Sequence, residues 1–126
     1  VEFRNKAWAA PETFEFLKKN NLGYYAVDEP KLERLMPAVY EVTNDIGYVR
    51  FHGRNKNWFN TPVKERYDYL YSDKELKEFI PHIKEMDKKA KKTYLFFNNC
   101  TNGKSVKNAV TLKKYLGIKT ERHTLF

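Results

Sequence analysis

The feature that most constrains the fold of this sequence is an alternation of short strand-like runs with helical segments. The strand-like runs are rich in aromatic and β-branched residues and lie at about residues 1–4, 23–28, 45–52 and 92–98. Apolar residues recur at helical spacing in the segments 11–21, 72–90 and 102–116. This order predicts right-handed βαβ units and a parallel sheet, so the predicted fold class is α/β.

Single residues mark where the predicted helices begin and end. Ser72 and Glu75 have the spacing of a capping box, in which the serine hydroxyl accepts a hydrogen bond from the Glu75 amide. The long helix that follows is expected to bend at Pro81. Asn102 is the predicted N-cap of the last helix. Gly117 is the predicted C′ residue that ends it.

The length of the chain limits the number of domains. Its 126 residues suffice for one domain and are too few for a complete (β/α)₈ barrel. The single cysteine excludes an internal disulfide bond, and no apolar run approaches the roughly 20 residues of a membrane helix. We therefore expect one cytoplasmic domain over residues 1–126, without membrane attachment.

Basic residues are concentrated in the last third of the chain. Residues 1–87 hold 14 basic and 15 acidic side chains, whereas residues 88–126 hold 10 basic side chains and one acidic side chain. Clustered lysines bind nucleic-acid phosphates whatever the base sequence. A lysine run is also the ordinary solvated face of a helix. Nucleic-acid binding through this third is the alternative function.

Polar side chains gather at the carboxyl ends of the predicted strands. Side-chain alternation gives each strand one apolar face and one face that ends in polar residues. The carboxyl ends of parallel strands meet at one edge, where α/β proteins bind ligands. We expect one common pocket at this edge, formed by Glu2, Arg4, Asp28, Arg50, His52 and Asn98, with Glu29, Arg54 and Asn99 just beyond.

The residue types of this pocket suit an anionic small molecule that bears a phosphate or carboxylate group. Guanidinium groups form paired hydrogen bonds with such anions, and histidine titrates closest to neutral pH. The predicted catalytic residues are His52, Asp28 and Glu2, and the reaction stays open. An ion-pair network that stabilises the barrel end is the alternative interpretation. The predicted ligand-binding residues are Arg4, Arg50, Arg54, Asn98, Asn99 and Trp8.

A divalent metal ion is a less favoured occupant of the same pocket. Carboxylate and imidazole groups are ligands for Mg²⁺ or Mn²⁺. Three nearby arginines oppose the binding of a cation. No metal site and no definite cofactor is therefore predicted, although suitable ligands exist at Glu2, Asp28, Glu29 and His52.

Several residues lie outside the predicted pocket. Cys100 is expected to be a small buried thiol, and His82 and His123 are expected at the surface. Lys104 and the amides at the start of the last helix offer a further position for an anion. The alternative interpretation, with equal support, is that the Lys104 side chain faces solvent and binds no anion.

Five blocks occur in a fixed order along the whole chain: VEFRNKAW at 1–8, VDEP at 27–30, YVRFHGR at 48–54, FFNN at 96–99 and NA at 108–109. Together they resemble the YecE-like family, the domain of unknown function number seventy-two. The resemblance implies a TIM-type barrel of roughly twice this length, of which this chain is the carboxyl-terminal half. It implies no established activity.

A half-barrel has consequences for association. The chain begins at Val1 inside a strand-like run, as expected for a sequence that lacks the first half of the barrel. Two strand edges would be left open, and open edges pair readily. We therefore expect this chain to pair with another chain or with the missing half-barrel.

Overall fold

The protein is built around a parallel three-stranded sheet. A computed structural model describes residues 1–119, and its strands follow the order β1-β2-β3. The strands are β1 (Tyr25–Asp28), β2 (Ile46–Phe51) and β3 (Lys92–Phe97). The α-helices are α1 (Pro11–Lys19), α2 (Val63–Arg66), α3 (Asp73–Lys89) and α4 (Lys104–Tyr115). The predicted α/β class and the parallel sheet are confirmed.

Residues 1–4 do not form the predicted strand. The carbonyl oxygen of Val1 accepts a hydrogen bond from the Tyr25 amide over 2.8 Å, so the segment starts beside β1. It then leaves the strand, because the carbonyl oxygen of Arg4 accepts from the Met36 amide over 3.1 Å. Val1 also donates from its amino group to the Gly23 carbonyl oxygen, but these two hydrogen bonds are not continued along β1, and the segment is instead an extended strap across the sheet edge.

The register of the strands decides which side chains share a face. Val27 pairs with Arg50, and Asp28 pairs with Phe51. Paired residues of parallel strands lie on the same face of the sheet. Asp28 therefore lies on the face opposite to Arg50. The alternation within each strand was predicted correctly, but the placement of Asp28 on one face with Arg50 and His52 was wrong.

The helix-covered face forms the apolar core. Phe51 of β2 lies with its ring centroid 4.8 Å from that of Phe79 in α3, and both side chains are buried. Burial of a side chain of this size stabilises the fold by about 1.5–3 kcal/mol. The same face of α3 buries residues at helical spacing, namely Leu76, Phe79, Ile83 and Met86.

The opposite face of the sheet is a row of aromatic rings. Tyr48 stacks on Tyr25 at a centroid distance of 4.2 Å and on Tyr94 at 5.8 Å. Tyr94 and Phe96 at the β3 side are each 40% exposed. In the described part of the chain, the helices pack on the other face. We call Tyr25, Tyr48, Tyr94 and Phe96 the aromatic face.

Two of the three predicted caps are confirmed. Ser72 and Glu75 form both hydrogen bonds of a capping box at the start of α3. Gly117, at φ 71°, follows α4, and its amide donates to the Lys114 carbonyl oxygen in a Schellman pattern. Asn102 is not the N-cap of α4, because its backbone is left-handed and Gly103 occupies the cap position.

The two long connections differ in structure. Residues 29–45, which join β1 to β2, contain no helix, although a parallel crossover usually has one. The connection after β2 contains α2, and Trp58 within it is buried against Tyr67 at a centroid distance of 5.4 Å. None of the helices described is long and apolar enough to cross a membrane.

Candidate functional site

The carboxylate of Glu2 brings three basic side chains together at the carboxyl end of β2. Its Oε2 atom lies 2.5 Å from Arg50 Nη1, and its Oε1 atom lies 3.1 Å from His52 Nε2. Arg4 Nη2 lies 3.1 Å from the same Oε1 atom. We call these four residues the Glu2 cluster. The structure thus brings four of the predicted pocket residues together.

The elements around the cluster explain why residues so distant in sequence meet. The His52 amide donates to the Asp28 carbonyl oxygen over 2.9 Å, which continues the β1–β2 ladder one residue beyond Phe51. Arg50 and His52 are two residues apart and therefore share a face. The extended strap brings Glu2 alongside β1 and over that face.

The charges of the cluster keep Glu2 ionised. Burial alone would raise its pKa, but the hydrogen bond with His52 and the charges of His52, Arg4 and Arg50 outweigh it and lower the pKa to about 2. The side chain of Glu2 is only 11% exposed, whereas those of Arg4 and Arg50 are 55% and 31% exposed. The solvent therefore meets guanidinium groups before it meets the carboxylate.

His52 is the inner member of the cluster. Its side chain is 1% exposed, so it is closed to solvent in this arrangement. An ionised carboxylate can only accept hydrogen bonds, so Nε2 of His52 carries the hydrogen that points to Glu2. Its Nδ1 atom is buried without a hydrogen-bond partner among residues 1–119. His52 therefore fixes the position of Glu2.

Glu29 is a titratable neighbour of the cluster that the sequence placed only just beyond the pocket. Its side chain is fully buried, and neither carboxylate oxygen has a hydrogen-bond partner within the described residues. Arg4 Nη1 lies 3.9 Å from Glu29 Oε2. Burial raises the pKa of Glu29 to about 7, with smaller effects from Arg4, which lowers it, and from Glu2 and Asp28, which raise it.

Asp28 belongs to a separate group beneath α3. Arg54 donates to its two carboxylate oxygens over 2.9 and 2.8 Å, and the Tyr71 hydroxyl donates to Oδ2 over 2.7 Å. Arg54 also donates to Glu75 over 3.0 Å. We call these four residues the Asp28 network. The expectation that Asp28 and Arg54 share the pocket of His52 is wrong, because the register places Asp28 on the other face.

The remaining predicted ligand-binding residues lie in three different environments. Asn98 lines a small cavity of about 230 Å³ with Arg50, next to the Glu2 cluster. Asn99 is fully buried and donates to the Tyr69 carbonyl oxygen over 2.8 Å, so its contacts are structural. Trp8 is 53% exposed and stacks on Phe3 at a centroid distance of 5.1 Å.

A buried asparagine that was not among the predicted site residues holds the Asp28 network in place. Oδ1 of Asn108 accepts from the Tyr71 amide over 3.0 Å and from Asn99 Nδ2 over 2.8 Å. Asn108 is 3% exposed although it lies inside helix α4. Its side chain therefore joins α4 to the end of β3. The signal was a polar residue on the apolar side of a helix.

The structure also locates the candidate metal ligands. The described residues hold no group of three or more histidine, cysteine, aspartate or glutamate side chains placed to bind a metal ion. Glu2 and His52 are paired, but Asp28 is bound by Arg54 on the other face. A cation near Glu2 would also meet the guanidinium groups of Arg4 and Arg50.

Lys104, Cys100 and the histidines other than His52 differ in their surroundings. Lys104 pairs with the carboxylate of Asp68, so it is not free to meet an anion at the start of α4. Cys100 is exposed, contrary to the expectation of a buried thiol, because it follows the end of β3 at the surface. His82 is exposed as expected. His123 lies outside the described residues.

Comparison with known proteins identifies the family. The family described as protein of unknown function DUF72 matches residues 1–125. The chain belongs to this family. It is also 32% identical over 130 residues to the UPF0759 protein YunF of Bacillus subtilis, a match that spans 94% of this chain and 46% of that protein.

Two solved structures share the fold. A DUF72 family protein from Thermotoga maritima is 47% identical with a TM-score of 0.90, over 93% of this chain and 45% of that chain. A DUF72 family protein from Enterococcus faecalis is 30% identical with a TM-score of 0.88, over 96% of this chain and 48% of that chain. The chain therefore spans about half the length of the relatives it matches.

Proposed function

We propose that the protein binds a small anionic molecule, such as a phosphate- or carboxylate-bearing metabolite, at the Glu2 cluster. The observation that carries this proposal is the pair of guanidinium groups held by one buried carboxylate. Arg4 and Arg50 together carry two positive charges, of which Glu2 balances one. Below pH 7, where the neighbouring Glu29 with its pKa of about 7 is mostly protonated, this leaves an excess of positive charge and guanidinium donors that face solvent.

The geometry supports binding more directly than it supports a particular reaction. Glu2 orients both guanidinium groups, and His52 behind it orients Glu2. Because His52 is closed to solvent and its Nε2 atom is hydrogen-bonded to Glu2, Glu2 connects its ring to a molecule bound at the guanidinium groups. In an enzyme built on this cluster, Glu2 would contact the substrate and His52 would be a positioning residue.

A calorimetric titration with inorganic phosphate at low salt tests the proposal. Arg50→Gln removes a guanidinium of the cluster, whereas Arg34→Gln removes the same charge from an exposed residue outside it. We expect Arg50→Gln to weaken phosphate binding by about tenfold or more, since a charge-assisted hydrogen bond contributes about 1.5–3 kcal/mol. Arg34→Gln should change it less than twofold, roughly the limit of a long-range charge effect. An equal loss in both variants would contradict a specific site.

Nucleic-acid binding through the lysine-rich third is the outcome that would replace this proposal. Lys91 and Lys88 pair with Asp45 and Glu85 at the surface, but their side chains are 81% and 74% exposed, so their ammonium groups still meet solvent. Binding of a single-stranded oligonucleotide that falls steeply with salt, and that Arg50→Gln leaves unchanged, would favour it.

We also propose that the sheet is part of a (β/α) barrel closed by residues beyond this chain. Three parallel strands, the exposed aromatic face and relatives of about twice the length support this architecture. Removal of the aromatic face from water would then require a partner surface. Sedimentation of the 15.1 kDa chain should show association, and a stable monomer would contradict this proposal.

A further inference from the structure

A second candidate cavity lies outside the Glu2 cluster. It is between the β1–β2 connection and helix α3, and its volume is about 670 Å³. Cavities that bind small molecules usually measure roughly 300–1,000 Å³. The cavity therefore has the size of a ligand site, and the proposed anion site does not account for it.

The cavity exists because the connection over residues 29–45 crosses the sheet without a helix. Its wall is nevertheless fixed to the rest of the fold. Leu35 forms an antiparallel bridge with Asn5, and the Met36 amide donates to the Arg4 carbonyl oxygen over 3.1 Å. A wall held by backbone hydrogen bonds on one side and by α3 on the other is formed before any ligand arrives.

The sides of the cavity are apolar and partly flat. Leu32, Met36 and Phe79 contribute hydrophobic surface. The ring of Tyr40 stacks on the imidazole of His82 with a centroid distance of 4.4 Å and an interplanar angle of 10°. This pair joins the connection to α3 and presents a planar surface. Planar surfaces of this kind stack well on aromatic rings.

Two polar groups at the cavity have hydrogen-bond donors that no described residue uses. Arg54 lines it and uses three hydrogen bonds on Asp28 and Glu75, which leaves other guanidinium donors without partners among the described residues. The Tyr40 hydroxyl forms no hydrogen bond with residues 1–119. Burial, together with the charge of Asp28, raises the pKa of Tyr40, so its hydroxyl keeps its hydrogen.

The local charges select against ionic ligands. The cavity lining holds charges of both signs in near balance, so an anion would disturb that balance and lie close to carboxylates; the cations are Lys6, Lys31 and Arg54, and the carboxyl groups are Asp28, Glu29, Glu33 and Glu78. A cation would instead meet the guanidinium of Arg54 at the cavity surface. A neutral molecule avoids both kinds of charge repulsion, and its hydrogen-bond acceptor pairs with the unused donors.

We propose that this cavity binds a small neutral molecule that combines a planar ring with a carbonyl or similar acceptor, as in an aromatic amide. The ring would lie along the apolar walls and the Tyr40–His82 pair. The acceptor would receive hydrogen bonds from Arg54 and the Tyr40 hydroxyl. This site is distinct from the anion site, because Glu2, Arg4, Arg50 and His52 do not line the cavity, although Glu29 of its lining lies beside Arg4.

Three probes of equal size and different charge test the proposal: benzamide, benzoate and benzamidine. We expect benzamide to shift the NMR signals of the Tyr40 and His82 rings and of the Phe79 methylene group. Benzoate and benzamidine should bind there at least about fivefold more weakly, because they introduce an unbalanced charge. The tightest binding by benzoate, or shifts confined to other residues, would overturn the proposal.

Matched variants locate the binding. Ala38→Trp fills the cavity from an exposed position, whereas Ala109→Trp places the same side chain on the exposed side of α4. Ala38→Trp should abolish the benzamide shifts, and Ala109→Trp should keep them. Tyr40→Phe, which removes only the hydroxyl, should weaken benzamide binding about threefold to tenfold. Unchanged benzamide binding in both Ala38→Trp and Tyr40→Phe would show that the cavity is not the site.

Discussion

The side chains of Asp28 and His52 lie on opposite faces of the sheet, although the His52 amide donates to the Asp28 carbonyl oxygen over 2.9 Å. This relationship divides the polar strand ends into two groups. The Glu2 cluster lies over the aromatic face, where its guanidinium groups reach solvent. The Asp28 network lies beneath α3, where each charged group already has a partner. Anion binding is therefore proposed for the first group, whereas the second holds the fold together and offers the proposed cavity ligand only the unused donors of Arg54.

Acid should destabilise the protein partly through Glu2. Its pKa is lowered to about 2 in the fold from an ordinary 4.5, so the stabilisation it contributes is present above pH 4.5 and is lost as the pH falls toward 2. Urea unfolding midpoints measured from pH 5.5 to 2.5 should fall less steeply in Glu2→Gln than in the unmodified protein. Glu12→Gln, at an exposed position, is the control and should keep the original slope.

Glu29 should have the opposite effect on stability. Its folded-state pKa of about 7 lies above the ordinary 4.5, so its contribution is fully present below pH 4.5 and is lost as the pH rises through 7. Glu29→Gln imitates the protonated form. We expect the variant to unfold at a higher urea concentration than the unmodified protein at pH 8.5 and to match it near pH 5. A less stable variant at pH 8.5 would instead show that Arg4 pairs with an ionised Glu29.

Removal of the Tyr71 hydroxyl should loosen the Asp28 network. This hydroxyl donates to Asp28 over 2.7 Å and accepts from the Gly53 amide over 2.8 Å. Tyr71→Phe leaves both buried groups with one partner fewer, which costs about 1–3 kcal/mol of unfolding free energy. Tyr94→Phe removes a hydroxyl from a side chain on the exposed aromatic face and should cost less than about 0.5 kcal/mol. Chemical denaturation of both variants gives the comparison.

Gly53 should tolerate no side chain. Its φ is 90°, and a Cβ atom there would lie 2.7 Å from the Tyr69 Cβ atom. Gly103 also has a positive φ, of 71°, but has no atom within 4 Å of an added Cβ. Gly103→Ala should cost only the backbone strain, about 1–2 kcal/mol. Gly53→Ala adds the overlap with Tyr69 and should cost at least about 1 kcal/mol more. Equal losses in thermal or urea unfolding would refute the close contact.

Local patterns predicted the elements well where hydrogen bonds are local. The capping box of Ser72 and Glu75 and the end of α4 at Gly117 involve residues within a few positions of each other. Asn102 failed as a cap because the chain enters α4 through two successive left-handed residues, which no short pattern indicated. Residues 1–4 failed as a strand because their later backbone partners lie in the β1–β2 connection.

The sequence by itself determined which residues of each strand share a face, since side chains alternate along any strand whatever surrounds it. Only the tertiary structure decided how one strand is aligned with the next. That alignment pairs Val27 with Arg50 and places Asp28 on the far face, under α3. The register depends on how the connections and the helix layer pack, and a shift of one residue reverses every side chain of a strand. Single-strand patterns therefore found the polar residues, but packing decided which of them meet.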